Sequence, residues 1–503
     1  MGIKLTGLNS GLDTESIIKE LMSAHSLKLT KIENKKTKNT WTQDKWKDLN
    51  KKIYALYTGD LSKARLTTSY QTKKASSSDS GVVEATATTK AAAGAHRLQI
   101  NKLASAQFVT GSKVDGVKTD KGTEKLEETT KLMDLEGFSE DTTITVNGSK
   151  EPFKVGKDTT VKDFVAYCKE SGVNASFDKT QQRFFLSSTA SGENQAFSID
   201  SNSDKALESL GLGKIDKDTV VEGPTASGMQ IVTAKDAEII LDGAKLTTDS
   251  NEPEINGIKY SLKQVTTSEV TITVSNDTKA VYDMVSNFIK GYNDILGAMN
   301  DAYFATSSKG YDPLTDEEKE AMTDDQIEKW ESKIKDSLLR RDTTLGSLLT
   351  ASKAAMNISV KASDGKSYSL SSLGITTSTD YTEKGKLHIK GDSEDSTYSD
   401  QENKLMSMLE EDPDLVCEII KGVSSELYKT MTDKMAATSL SSALTFYNDK
   451  QLTKNDKQYD TDISTMKTKL ESLESKYYKQ FTAMETAMSK LNSQQSSLAG
   501  LLG

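Results

Sequence analysis

A chain of 503 residues with 35% hydrophobic side chains and a formal net charge of −10 is long, acidic and rich in surface. Its length suits about three domains, its low apolar share suits elongated shapes, and its charge argues against a general binder of nucleic acid or anionic membrane. No run is apolar enough for a membrane span, and MGIKLTGLNSGLD lacks the apolar core of a Sec-type signal peptide.

The opening stretch GLNSGLDTESIIKELM places Gly and Asn in a turn, Asp13 as a helix cap and Glu15 in the first helical turn. Ile18, Leu21, His25, Leu29 and Ile32 follow at helical three–four spacing, with His25 as a packing residue. The helix then turns polar through Lys35, Lys36 and Lys38, and regains a seam at Trp46, Leu49, Ile53 and Leu56. With no Pro or Gly before Gly59, one long helix is expected. The basic run from Lys28 to Lys52 is better read as the solvated face of that helix than as a nucleic-acid patch.

β-rich sequence starts after a polar linker near Tyr70. Val83–Ala87 and His96–Ile100 alternate as two strands around a turn at Gly94. A hairpin is expected at Asn147–Gly148, a helix after Thr159–Thr160, and a further hairpin pair over 174–199. Asp242–Gly243 and Asn256–Gly257 mark two more hairpins. At Asp277 the pattern switches to a helix bearing Val281, Val285, Phe288, Tyr292, Ile295, Leu296 and Met299 on one face. Thr315 with Glu318 and Thr323 with Gln326 form capping boxes for short charged helices. A helix over Leu345–Met356, a small extended segment and more helix from Gln401 lead to the terminal stretch.

That stretch carries Ile463, Met466, Leu470, Leu473, Tyr477, Phe481, Met484, Met488, Leu491, Leu498 and Leu502, an a/d seam sustained over about five heptads. Leu473–Tyr477–Phe481 is a stutter and Gln495 a polar entry in the seam. An amphipathic helix of this length needs a partner, and the opening helix is the nearest candidate within the chain. The fold class is therefore α+β and multidomain, with terminal helices forming a coiled-coil or helical-bundle leg and β-rich head domains inserted between them. The expected borders are 1–45 with 455–503 for the terminal coiled coil and 46–75 with 277–454 for a helical bundle. A β-rich domain is expected over 76–122 with 226–276, and an outer β-rich head over 123–225.

Catalytic, cofactor and metal sites are not expected. His25, His96 and His388 are isolated, and no GxSxG elbow occurs. Asp200, Asn202 and Asp204 start a calcium-loop pattern, but Lys205 stands where Gly is needed and Gly211 where Glu is needed. Asp392, Glu394, Asp395 and Asp400 read as a solvated loop. Cys168 and Cys417 have no metal or redox spacing and are better read as separate buried thiols than as a disulfide.

GLNSGLDTESIIKELM closely resembles the opening of the flagellar hook-associated protein 2 family, the filament cap, with Asn9 in place of a glycine. AAAGAHRLQINKLASAQ, AEIILDGAKLTTDSNEPEINGIKYSLKQV with VTITVSND, FIKGYNDIL and the closing KLNSQQSSLAGLL resemble it further, in order. The resemblance implies a non-enzymatic cap at the flagellar tip that promotes folding and polymerisation of exported flagellin. It implies export by the flagellar type III system, which accounts for the missing Sec signal, and no membrane insertion. Implied partners are further copies of the chain (a pentamer or hexamer), flagellin, the hook–filament junction proteins, and the export apparatus with its chaperone. The seam residues are the expected assembly surface, with Ile18, Leu21, Leu29 and Ile32 on the opening helix. An extracellular adhesin binding host glycans through the β-rich head is the alternative.

Overall fold

The structure, a computed structural model, describes residues 13–502 apart from Lys121, Gly148, Lys150 and Thr219, with the side chains of 499–502 also outside the description. The chain forms two compact units, one of residues up to Tyr70 with Thr278 onward, the other Gln71–Asp277.

In the helical unit the opening helix runs unbroken over Thr14–Thr58, with the Asp13 carboxylate accepting from Ser16 N–H at 3.0 Å. Trp46, Leu49, Ile53 and Leu56 recur at three–four spacing and are all buried. They share a core with Val285, Phe288, Tyr292 and Leu296 of the helix Thr278–Tyr303. Leu345 and Leu348 of Thr343–Met356 join it, as do Ile420, Val423 and Leu427 of Pro413–Lys434. Each fully buried side chain of this size contributes about 1.5–3 kcal/mol. The helix starts are fixed locally: Asp342 and Asp412 accept from backbone N–H groups in the first turns that follow them, and Pro413 occupies the first turn of its helix, where its missing N–H costs nothing. Between Val360 and Ile389 two short antiparallel ladders place Ile375, Leu387 and Ile389 in the bundle core.

The charged insert after Tyr303 carries both capping boxes. Its helix Asp324–Ser337 is fastened along the opening helix. Lys38 pairs with Asp312 at 2.7 Å and Lys45 with Asp336 at 3.3 Å. Trp330 Nε1 donates to the Asp312 carbonyl at 2.8 Å, and Lys335 lies over the Trp41 ring. The lysine run of the opening helix thus partly serves as an anchor for an acidic insert.

The β unit holds two cores. In the first, an antiparallel five-stranded sheet (Lys73–Ser77, Val270–Asn276, Gly94–Lys102, Ala237–Leu241, Ala244–Thr248) packs with a three-stranded one (Glu254–Ile255, Ile258–Leu262, Val83–Ala87) around Leu98, Ile100, Tyr260 and Ile272. Asp242–Gly243 and Asn256–Gly257 have positive φ at both residues, 50° and 84°, 50° and 75°, as tight hairpins require. One expectation is corrected. Val83–Ala87 pairs with Ile258–Leu262, while Gly94–Lys102 lies between Val270–Asn276 and Ala237–Leu241, so the two strands do not face each other across Gly94. The connection turns by bonding Thr88 N–H to the Gly257 carbonyl and buries Ala91, which moves the chain from one sheet to the other.

The second core is built from a five-stranded sheet (Gly223–Pro224, Gln230–Val232, Phe108–Thr110, Arg183–Ser188, Val173–Asp178) and a three-stranded one (Ile199–Ser201, Thr143–Val146, Phe153–Lys154). The helix Val161–Glu170, capped reciprocally by Thr160 and Asp163, contributes Phe164 and Cys168. Val109 and Ile231 also lie in this core, which therefore reaches beyond 123–225 on both sides. The expected turn at Asn147 joins Thr143–Val146 to Phe153–Lys154, with Gly148 outside the described residues.

At the Asp242 hairpin the carboxylate accepts from Arg97 N–H at 2.8 Å and bonds His96 Nδ1 at 2.8 Å. The hydrogen bond to the Asp242 carboxylate raises the His96 pKa, and that same bond, then the Arg97 N–H, lowers the pKa of Asp242. His96 therefore contributes stability that is complete below its unfolded pKa of about 6.5 and is lost as pH rises through the raised folded value. Asp242 contributes stability that is present above about pH 3.9 and is lost as pH falls through its lowered value. The urea midpoint of the β-unit transition should separate wild type from His96→Ala at about pH 5.5 and bring them closer at about pH 8.5.

Candidate assembly interface

The last helix, Asp449–Leu502, runs antiparallel to the opening helix. Asn39 Nδ2 donates to the Leu452 carbonyl at 3.0 Å, Thr40 Oγ1 meets Asp456 at 3.5 Å, and Lys36 pairs with Asp460. Further along, Glu33 pairs with Lys467 at 3.7 Å and His25 Nε2 lies 3.4 Å from the Tyr477 hydroxyl. As one number falls the other rises. The hydrogen bond it donates to Asp460 holds the Lys36 ammonium above its ordinary range.

The pair is rooted in the bundle. Trp46 stacks on Tyr447, with ring centroids 5.4 Å apart and planes 6° from parallel. Asn50 accepts from Phe446 N–H at 2.9 Å and donates to the Leu444 carbonyl at 3.4 Å, which fixes the loop entering the last helix.

The seam residues are unevenly covered. Ile463, Met466, Leu470, Leu473, Tyr477, Phe481, Met484 and Met488 are half-buried, whereas Leu491 and Leu498 are 63% and 61% exposed. On the opening helix Ile18 is buried, and Leu29 and Ile32 are half-buried. Leu21 is 40% exposed, and Met22 is half-buried beside it. His25 is exposed, with its ring 6.4 Å from that of Tyr477, so it borders the contact rather than filling it. The Leu502 side chain and the turn Gly7–Leu12 lie outside the described residues.

Two heptad series explain this. Ile18, His25, Ile32, Asn39, Trp46 and Ile53 are seven apart, as are Met22, Leu29, Lys36, Gln43 and Asn50. Stepping back seven from Leu29 selects Met22 and turns Leu21 outward. The same steps select Asn39, Lys36 and Asn50, polar residues that apolar spacing passes over. Carrying the heptad back from Trp46 would have found Asn39. Polar seam residues of this kind fix register at some cost in stability.

The other sequence candidates serve the fold. His388 is not isolated, as its spacing in the sequence suggests, but held between Glu383 at 2.9 Å and Asp395 at 2.5 Å. Glu394 pairs with Lys290. Asp200 pairs with Lys214 at 3.0 Å, and the Asn202 side chain bonds Thr143 N–H and the Asp141 carbonyl. Among the described residues no group of three or more His, Cys, Asp or Glu could hold a metal ion, and no helix is long and apolar enough to cross a membrane. Cys168 and Cys417 are free and buried, and burial pushes the Cys168 thiol up to about 12.

Paired end helices with β-rich domains between them and a seam only partly covered define a helical assembly protein. The chain belongs to the flagellar hook-associated protein 2 family: residues 10–107 match the family's N-terminal model and 234–493 its C-terminal model. It is 26% identical to the flagellar hook-associated protein 2 of Halalkalibacterium halodurans, over 99% of both chains. It is 25% identical to the A-type flagellar hook-associated protein 2 of Pseudomonas aeruginosa, over 99% of this chain and 97% of that one. The crystal structure of the D1-D2-D3 domains of the flagellar cap protein FliD from Escherichia coli shares the fold, with a TM-score of 0.52 at 18% identity, over 78% of this chain and 96% of that one.

Asn39→Ala removes one buried hydrogen bond from the helix pair and should lower stability by about 1 kcal/mol. Urea unfolding followed by circular dichroism measures this, with Thr40→Ala, at a 3.5 Å contact, expected to have the smaller effect.

Proposed function

We propose that this chain forms an oligomeric cap at the distal end of the bacterial flagellar filament, where it holds exported flagellin while it folds and polymerises and prevents its loss. The observation that carries this reading is the terminal seam, long enough for a coiled coil yet half-covered at best, with Leu491 and Leu498 left in solvent. Covering one exposed leucine contributes about 1.5–3 kcal/mol, enough to favour a helical neighbour and little enough for the contact to release. Copies of the chain and flagellin are the partners that fit such a surface. The hook–filament junction proteins and the export apparatus with its chaperone are the remaining partners of this reading, and the flagellum tip its location. The role is structural, without catalysis. Subunit number stays between pentamer and hexamer. No observation favours the adhesin alternative.

Removing the residues after Asp460 keeps Tyr447, Leu452 and the Lys36–Asp460 pair, and should leave both units folded. In a strain lacking the native chain, the truncated protein should fail to restore swimming and should release unpolymerised flagellin into the medium. Full restoration would contradict the proposal. Leu491→Ser with Leu498→Ser should leave the thermal melt within about 0.5 kcal/mol of wild type, as surface changes do, while reducing filament growth in the same strain.

A further inference from the structure

The C-terminal end of the helix Thr278–Tyr303 is surrounded by cations. Lys384 Nζ lies 5.0 Å from the centre of the Phe304 ring, and Arg341, an exposed residue, is brought to the same place by its backbone N–H, which donates to the Tyr303 carbonyl at 3.0 Å. Lys353 runs beside Gly385, and a Cβ placed at Gly385 would stand 3.7 Å from its Nζ. Burial, and then the neighbouring Lys384, push the Lys353 ammonium below the ordinary lysine range. Lys386 extends along the same helix at Gly297.

Among the described residues none of Arg341, Lys353, Lys384 and Lys386 makes an ion pair. The nearby carboxylates are engaged elsewhere. Asp342 accepts from Leu345 N–H, Glu383 bonds His388, and Asp380 accepts from Thr382 N–H. Asp301 faces the groove lined by Lys45 and Lys52. The helix dipole favours cations at its last turn, which accounts for a residue touching that turn but not for an uncompensated group in a chain of net charge −10. Two large aromatics stand exposed there, Phe304 at 56% and Tyr381 at 89%. Exposed aromatics beside an arginine are enriched in docking faces, and the unmet lysine charges around them supply a positive field that an acidic partner complements.

The complementary surface is on the same chain. In the insert, Asp316, Glu317, Glu320, Asp324 and Glu328 are exposed, while Lys319 and Lys335 pair with Glu331, Lys329 with Asp325, and Lys333 bonds the Tyr311 hydroxyl. The insert is held away from that face, since Asp312 and Asp336 pair with Lys38 and Lys45 on the opening helix and Trp330 Nε1 bonds the Asp312 carbonyl. At about 1.5 Å per residue the helix Asp324–Ser337 is about 20 Å long, and its acidic start is the end remote in sequence from Arg341.

We infer that the basic aromatic face around Lys384, Lys386 and Arg341 docks the acidic insert, residues 316–328, of a second copy of this chain. The contact is heterologous, since each copy offers one surface of each kind, and such contacts close into rings when the rotation permits. The inference rests on the cap reading for its oligomer and adds the contact that builds it.

The test is a charge swap in the full chain, with self-association measured by analytical ultracentrifugation at low salt and at physiological salt. Lys384→Glu with Lys386→Glu should weaken association about tenfold or more, as should Glu320→Lys with Glu328→Lys, and the loss should shrink with added salt. A chain carrying all four changes should associate close to wild type. Circular dichroism melts equal to wild type show that the pairs act on the surface and not on folding. Normal association of either pair, or a fourfold variant weaker than both pairs, would overturn the inference. If the pairs associate normally but cells carrying them shed flagellin, the face belongs to flagellin: the docking inference falls and the cap reading stands. If the swap behaves as expected but cells lacking the chain grow normal filaments, the docking stands and the cap reading fails.

Discussion

Trp46 stacks on Tyr447 at the point where the two ends of the chain meet, and the helical unit is arranged about that contact. On one side lie the bundle residues Ile53, Phe288, Leu296 and Ile420, all buried. On the other side the helices run on together with Asn39, Lys36 and Glu33 as polar rungs. Because Asn50 also grips both Leu444 and Phe446, the last helix enters in a fixed register. A single aromatic stack and one asparagine thus decide which faces of the two long helices meet.

Coverage of the last helix's seam falls from root to tip, although Ile18 near the start of the opening helix is buried again at 2%. Near the bundle, Trp46 and Ile53 are buried at 2% and 0%. Further out the seam is half-covered, and at Leu491 and Leu498 it is open. A protein that must be held firmly at one place and bind reversibly at another benefits from such a gradient, since low-stability segments are the ones that rearrange at small cost. The stutter at Leu473–Tyr477–Phe481 falls where coverage is intermediate, and there the supercoil is locally relaxed.

Much of this was legible in the sequence because local chemistry decided it. Asp242–Gly243 and Asn256–Gly257 demand positive φ at both residues and so form hairpins. The capping boxes at Thr315 and Thr323 satisfy orphan N–H groups with side chains three residues away. Strand partners were not legible in the same way. Val83–Ala87 and Gly94–Lys102 are neighbours in sequence, yet Ala91 turns the chain into a different sheet, and a buried alanine gives no local sign of that. At the interface, apolar spacing found Ile18, Leu29 and the long terminal seam, but it placed Leu21 where Met22 sits and passed over Asn39. Both misses have one cause. The register is set from the bundle outward, from Trp46, which lies about seven turns from Met22 and about two from Asn39.

The central claim is that the outer half of the terminal helix pair is incomplete in one copy and completed by assembly. Hydrogen exchange read by mass spectrometry, on the isolated chain and on the assembled oligomer, tests it most directly. Amides from Phe481 to Leu498 should exchange quickly in the isolated chain and gain protection on assembly, while those from Val285 to Leu296 should be slow in both. Strong and equal protection of the terminal stretch in the two states would contradict the account.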